Sequence, residues 1–292
     1  MKMDRSGKAI KQINSLKTGV KSRSGSTIVK TVGLTKRYKN FTAVEGLNMN
    51  VKEKSIYGFL GPNGAGKSTL FNAITGVFFA DKGLIMLDGE DITYQKEHVR
   101  SKVIGHLFQD PLKGTAPHMT IEENMALAYL RTTTSKNAYF SRIKAADKKK
   151  FREQLALLDM GLEDRMKQPV GLLSGGQRQA LTLLMATMVT PKILLLDEHT
   201  AALDPATAEK VLNLTKKIVS EQNITCLMVT HNMHQALELG NRTLMMDSGN
   251  IVLDVSGEER EKMSVDDLLE QFAVRAGKAL DNDRILFSKV EA

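Results

Sequence analysis

The stretch GPNGAGKS at residues 61–68 constrains this chain more than any other feature. It follows the apolar run SIYGFL and leads into STLFNAITG, a helical pattern that Gly76 ends. Gly61, Gly64 and Gly66 permit a tight path between strand and helix that aims backbone N–H groups at phosphate oxygens. Lys67 brings a positive charge near the terminal phosphates, and the Ser68 hydroxyl is placed to ligate magnesium. The loop therefore predicts nucleotide binding. By itself it does not separate a kinase, a GTPase or an ATPase.

The surrounding sequence supplies the frame. TIVKTVGLTKRY, FTAVEGLNMNV and GLIMLDGEDI cluster or alternate apolar residues between turn signals, as strands of a small antiparallel layer do. Residues from roughly 113 to 170 carry helical periodicity in TIEENMALAYL and KKKFREQLALLDMGL, with Thr120 and Glu123 spaced as a capping box. This segment reads as a helical insertion. Strands and helices then alternate: a helix to about 189, strands at 193–197 and 224–230, helices near 205–221 and 233–239, and two strands around the turn DSGN. SVDDLLEQF opens a last amphipathic helix with Ser264 as its N-cap. Such alternation predicts an α/β fold with a parallel sheet covered on both faces.

Charge narrows the choice of partners. The net charge of +8 is concentrated in the first 28 residues, where seven Lys or Arg face one Asp; outside that stretch 34 basic residues nearly balance 32 acidic ones. A second basic run, RTTTSKNAYFSRIKAADKKKFRE at 131–153, reads either as a solvated face or as a contact with anionic lipid headgroups or an acidic loop of a partner. Neither distribution favours nucleic acid. The longest apolar runs, such as ILLLD and TLLMATMV, fall short of the roughly 20 residues that a membrane span needs. The basic N-terminal stretch also lacks a signal-peptide core. The lone cysteine, Cys226, lies in an apolar strand and reads as core. The expectation is a cytoplasmic protein.

Further polar residues fall at the ends of apolar runs. In ILLLDEHTAALDP, four aliphatics suit a strand buried on both faces, and Asp197 and Glu198 emerge at its C-terminal end. Asp197 suits a magnesium shell, whereas Glu198, facing the other way, is positioned to polarise an attacking water. His199 reads as a surface or packing residue, because Glu198 already fills the base role. Gln109 in HLFQDP and His231 in LMVTH each end a strand-like run. GLLSGGQRQA places Ser174, Gly175 and Gly176 in front of a helix, a second anion site in a chain that already has one.

In this order, the phosphate loop, Gln109, LSGGQ, the apolar-Asp-Glu strand, ALDP and His231 resemble the ATPase subunits of the ATP-binding cassette (ABC) family, over roughly residues 28–255. The resemblance implies a P-loop NTPase core of RecA-like type with the small antiparallel layer and a helical subdomain at about 112–172. A basic tail at 1–27 and a helical extension at 256–292 flank it. It also implies roles. Gly61, Pro62, Asn63, Gly64, Ala65, Gly66, Lys67, Ser68 and Thr69 would hold ATP, with Ser68, Gln109 and Asp197 at Mg2+. Tyr38, or Phe41 in its place, would stack on adenine. Gln109 would link metal and water to the helical subdomain, and His231 would hydrogen-bond the terminal phosphate. Ser174, Gly175, Gly176 and Gln177 would cover the ATP of a second, head-to-tail copy, which Asp204 would contact. The expected partners are that second copy, membrane-spanning permease subunits and an extracytoplasmic solute-binding protein, with the ATPase peripheral on the inner membrane face.

Segments from about residue 100 onward look like ATPases of bacterial importers associated with tryptophan- or tyrosine-like substrates. Residues 31–70 look more like ATPases of bacitracin- or lantibiotic-type exporters. Import of an amino-acid-like solute is the expectation, with peptide or antibiotic export and a soluble ABC protein acting on nucleic acid or ribosomes as alternatives.

Overall fold

A computed structural model describes residues 26–131 and 143–277 of the chain. Most of the basic tail, the middle of the second basic run and the end of the C-terminal extension lie outside the described residues.

Two sheets share one apolar core. The antiparallel sheet contains β1 (Thr27–Tyr38), β2 (Phe41–Lys52), β4 (Lys82–Leu87) and β5 (Glu90–Asp91) in the order β2-β1-β4-β5. The six-stranded sheet contains β3 (Ile56–Leu60), β6 (Ile104–Leu107), β7 (Ile193–Asp197), β8 (Cys226–Val229), β9 (Arg242–Asp247) and β10 (Asn250–Ser256) in the order β10-β9-β3-β8-β7-β6. Every neighbouring pair in it is parallel except β9 and β10, which form a hairpin. β7 is buried at all four aliphatic positions and β8 along its whole length, as strands covered on both faces are. Cys226 is buried there, and burial pushes its thiol pKa up.

Helix α1 (Lys67–Thr75) leaves β3 through the phosphate loop and stops at Gly76, whose left-handed φ of 86° lets the chain reverse. Its last carbonyls have a specific partner. Arg100, at the end of the short helix α2 (Glu97–Arg100), is buried and donates from Nη1 to the Ala73 and Ile74 carbonyls at 2.6 and 2.9 Å. The same guanidinium donates to the Gln95 and Thr93 carbonyls, so one cation satisfies the helix end and the loop after β5.

The helical layer holds α3 (Ile121–Arg131), α4 (Ala145–Ala156) and the start of α5 (Gly175–Thr187) around a cluster that includes Ile121, Met125, Phe151, Leu155 and Leu181. The expected capping box of α3 forms: Thr120 N donates to Glu123 Oε2 at 2.7 Å, and Glu123 N donates to Thr120 Oγ1. α6 (Pro205–Glu221), α7 (Met233–Leu239), α8 (Gly257–Glu261) and α9 (Val265–Ala276) complete the fold. Ser264 caps α9 as expected, and Leu268 and Phe272 share a buried apolar cluster with Leu60, the last residue of β3. No helix among the described residues is long and apolar enough to cross a membrane.

Candidate functional site

Strand order decides what meets at the site. β3, β8, β7 and β6 are adjacent and parallel, so their C-terminal ends share one edge of the sheet. The phosphate loop follows β3, His231 follows β8, Asp197 and Glu198 end β7, and Gln109 follows β6. Residues scattered over 170 positions of sequence thereby meet at one edge of the sheet, where Glu198 joins His231 and Gln109.

The loop's glycines are required by geometry at two positions in particular. Gly61 and Gly66 have φ of +145° and +103°, and a β-carbon on either would strike a main-chain carbonyl, of Met246 and Ala43 respectively. Lys67 is buried at the first turn of α1 and donates from Nζ to the Gly61 and Pro62 carbonyls at 2.6 and 3.0 Å. Burial lowers its pKa, while the charges of Glu198 and Asp197 oppose that shift. No side chain caps α1, so the loop's own backbone N–H groups remain at its start. A cleft of about 210 Å3 there is lined by Tyr38, Phe41, Asn63, Lys67, Ser68, Thr69 and Glu198, among others. Tyr38 and Phe41 both stand at it, 44% and 60% exposed. Tyr38 rests edge-on against Phe78 with centroids 5.9 Å apart.

Glu198 is held on three sides. Its backbone is left-handed at φ 47°, an uncommon state for a residue with a side chain, and its N–H donates to the Val229 carbonyl at 3.0 Å. Its Oε1 lies 2.6 Å from His231 Nε2, and its Oε2 accepts from Gln109 Nε2 at 3.2 Å. The carboxylate thus bridges the ends of β6 and β8. Asp197 is half-buried beside it. Burial raises the Asp197 pKa, the Glu198 charge adds to this, and Lys67, His231 and Lys113 pull the other way. Lys113 carried no signal in the sequence. The oxygen donors of Ser68, Asp197 and Gln109 are of the hard type that Mg2+ takes.

Of the two readings open for His199, surface or packing, the structure shows packing. It is buried, its Nε2 lies 3.3 Å from Thr215 Oγ1, and burial lowers its pKa to about 4. Thr215 already donates its hydroxyl hydrogen to the Val211 carbonyl at 2.8 Å, so His199 Nε2 is the protonated nitrogen and donates.

Ser174, Gly175, Gly176 and Gln177 line neither this cleft nor the adjoining 720 Å3 groove that holds Glu198, Leu203 and His231. Ser174 and Gly175 are exposed instead. Ser174 caps α5 in a reciprocal box: its Oγ accepts from Gln177 N at 3.3 Å, and its N–H donates to Gln177 Oε1 at 3.2 Å. The S-x-x-Q spacing announces that box. Asp204 caps α6 by accepting from Thr207 N at 3.0 Å, and hydrogen bonds from the Thr207 hydroxyl first and its N–H second hold its carboxyl below the ordinary range.

A family model described as ABC transporter matches residues 44–201. The chain is 42% identical over 231 residues to the tyrosine transport ATP-binding protein of Clostridioides difficile (strain R20291), spanning 79% of this chain and 91% of that protein. It is 36% identical to the sulfate/thiosulfate import ATP-binding protein CysA 2 of Shewanella oneidensis, over 77% of this chain and 60% of that longer protein. Among solved structures it resembles the dimeric post-hydrolysis state of the ATP-binding cassette MJ0796 bound to ADP and Pi, with a TM-score of 0.68, 28% identity, and coverage of 78% of this chain and 98% of that one.

Proposed function

Since the chain belongs to the ABC transporter family as an ATP-binding, ATP-hydrolysing subunit, we propose that two copies close head to tail around two MgATP to drive permease subunits that import an amino-acid-like solute. Each nucleotide then lies between one copy's phosphate loop and the other copy's Ser174–Gln177. The observation carrying this reading is the separation just described. The phosphate loop, Asp197, Glu198, His231 and Gln109 converge on one edge of the sheet, whereas Ser174 and Gly175 are exposed and line no part of the cleft beside the loop. A group suited to anions that lines no part of its own chain's phosphate cleft is matched to another molecule's.

The roles follow from position. Residues Gly61 to Thr69 cradle the phosphates, and Tyr38 stacks on adenine with Phe41 beside it. Ser68, Asp197 and Gln109 would hold Mg2+, which would supply charge neutralisation at the phosphates. Glu198 orients and deprotonates the attacking water, and His231, which now holds Glu198, hydrogen-bonds the terminal phosphate. Asp204 meets the second copy. Closure on ATP and opening after hydrolysis are the mechanical output. The 42% identity to a tyrosine transport ATP-binding protein supports an amino-acid-like solute, a solute-binding protein outside the membrane and a station on its inner face; no feature of the site favours nucleic acid. Within the chain we assign 28–255 to the ATPase body, with the helical subdomain at about 112–172, and 1–27 and 256–292 to flanking segments.

Mixed dimers test the shared site. Ser174→Arg blocks closure and Lys67→Ala weakens nucleotide binding, so each variant alone has two damaged sites. In a cross-linked heterodimer both lesions fall in one site and the other is intact, and ATPase activity rises above either parent. A confirmed heterodimer no more active than its parents, and no better at closing on ATP, refutes the assignment.

A further inference from the structure

Ser174 and Asp204 cap different helices, yet the first turns of those helices are packed without a gap. A β-carbon on Gly176 would overlap Thr207 Cγ2, and one on Gly175 would come within 3.3 Å of Leu203 Cδ2. Both glycines belong to α5, and neither has the positive φ that would itself demand glycine. Glycine costs a helix about 1 kcal/mol against alanine, so here the neighbour, not the backbone, accounts for it. Gly176 is buried although Ser174 and Gly175 beside it are exposed. Thr207 is in turn fixed from behind: its N–H donates to Asp204 Oδ1 at 3.0 Å, and its branched β-carbon restricts rotation within α6.

We infer that the Thr207 methyl seats in the hollow at Gly176 and locks Ser174 to Asp204, so that the two groups meeting the second copy present one rigid face. Thr207 is then a positioning residue. It touches no nucleotide, but sets where Ser174 stands when Asp204 docks. The inference rests on the head-to-tail reading above. It gives the second glycine of the motif a role within its own chain. A glycine needed only for close approach to phosphate would not require a methyl from residue 207 opposite it.

Size complementarity supplies the test. Gly176→Ala, Thr207→Ser and the double variant are made in a Glu198→Gln background, and ATP-dependent dimerisation is measured by light scattering after size exclusion. Monomer ATP affinity and melting temperature are followed alongside. Thr207→Ser removes the methyl but keeps the hydroxyl and the N–H that Asp204 accepts. Gly176→Ala weakens dimerisation, and adding Thr207→Ser restores it by about fivefold or more, a coupling within the range for residues in contact.

A double variant as weak as Gly176→Ala, or a Gly176→Ala that dimerises like its parent, overturns the inference. So does rescue of melting temperature without rescue of dimerisation. If Gly176→Ala does not fold, the milder pair Gly175→Ala with Leu203→Ala carries the same test on the adjoining contact. Failure of the shared-site reading is distinguishable: mixed Ser174→Arg and Lys67→Ala dimers then show no recovery even where the double variant restores dimerisation.

Discussion

On the role proposed for Glu198, replacing it by glutamine removes a base and little else. The side chain keeps its length, and the backbone keeps its left-handed φ of 47°, so any conformational strain is common to both proteins. Oε1 still accepts near His231, 2.6 Å away, but the new NH2 group faces the Gln109 Nε2 donor at 3.2 Å. Unless the Gln109 amide turns over, one hydrogen bond is lost, a cost of about 1 kcal/mol. Against a folding stability of about 5–15 kcal/mol this leaves the protein folded. Loss of a general base slows the chemical step by about 10²–10⁴-fold. At 1.36 kcal/mol per tenfold, that is roughly 3–5 kcal/mol of barrier. The catalytic effect therefore exceeds the structural one several times over, and the two separate experimentally. Single-turnover phosphate release at saturating MgATP reports the rate, thermal melting reports the fold, and size exclusion with MgATP shows the closed dimer accumulating. A rate reduced less than tenfold, or a variant that remains monomeric with ATP, removes Glu198 from the role.

Asp197→Asn raises the melting temperature of the nucleotide-free protein at neutral pH. Burial and the Glu198 charge raise the Asp197 pKa, so its contribution to stability is present below the ordinary carboxylate value and is lost as pH rises through the folded one. The gain from asparagine accordingly shrinks as pH falls toward the carboxylate range, and an unchanged or lower melting temperature at pH 7 refutes the account. Phe272→Ala, at a fully buried position in the cluster with Leu60, lowers stability by about 3–5 kcal/mol in urea titration, and a loss below about 1 kcal/mol contradicts the packing described.

The sequence exposes whatever depends on local pattern. Four aliphatics before Asp197 announce a doubly covered strand, Gly76 ends α1, and Thr120, Glu123 and Ser264 mark helix starts, because each signal is complete within one or two turns. What it hides depends on distant chain. Glu198 is held in its left-handed conformation by a hydrogen bond to Val229, 31 residues away, and nothing in DEHT reveals it. Gly176 reads as flexible until Thr207, also 31 residues on, is seen filling the space beside it. The partner of the α1 carbonyls was equally invisible, since Arg100 lies 26 residues beyond Ile74 in a short helix with no periodicity to announce it.

That buried guanidinium also bears on how force passes through the molecule. A lever delivers work only if one end is held, and α1 is held at both. Gly61 and Gly66 abut main-chain carbonyls at its start, and Arg100 ties its last turn to the loop after β5. On the proposed reading, the helix that the phosphate loop opens is the fixed jaw of a vice. In the proposed closure, displacement falls to the other jaw, the helical layer, and its stroke is measured against a helix anchored at both ends.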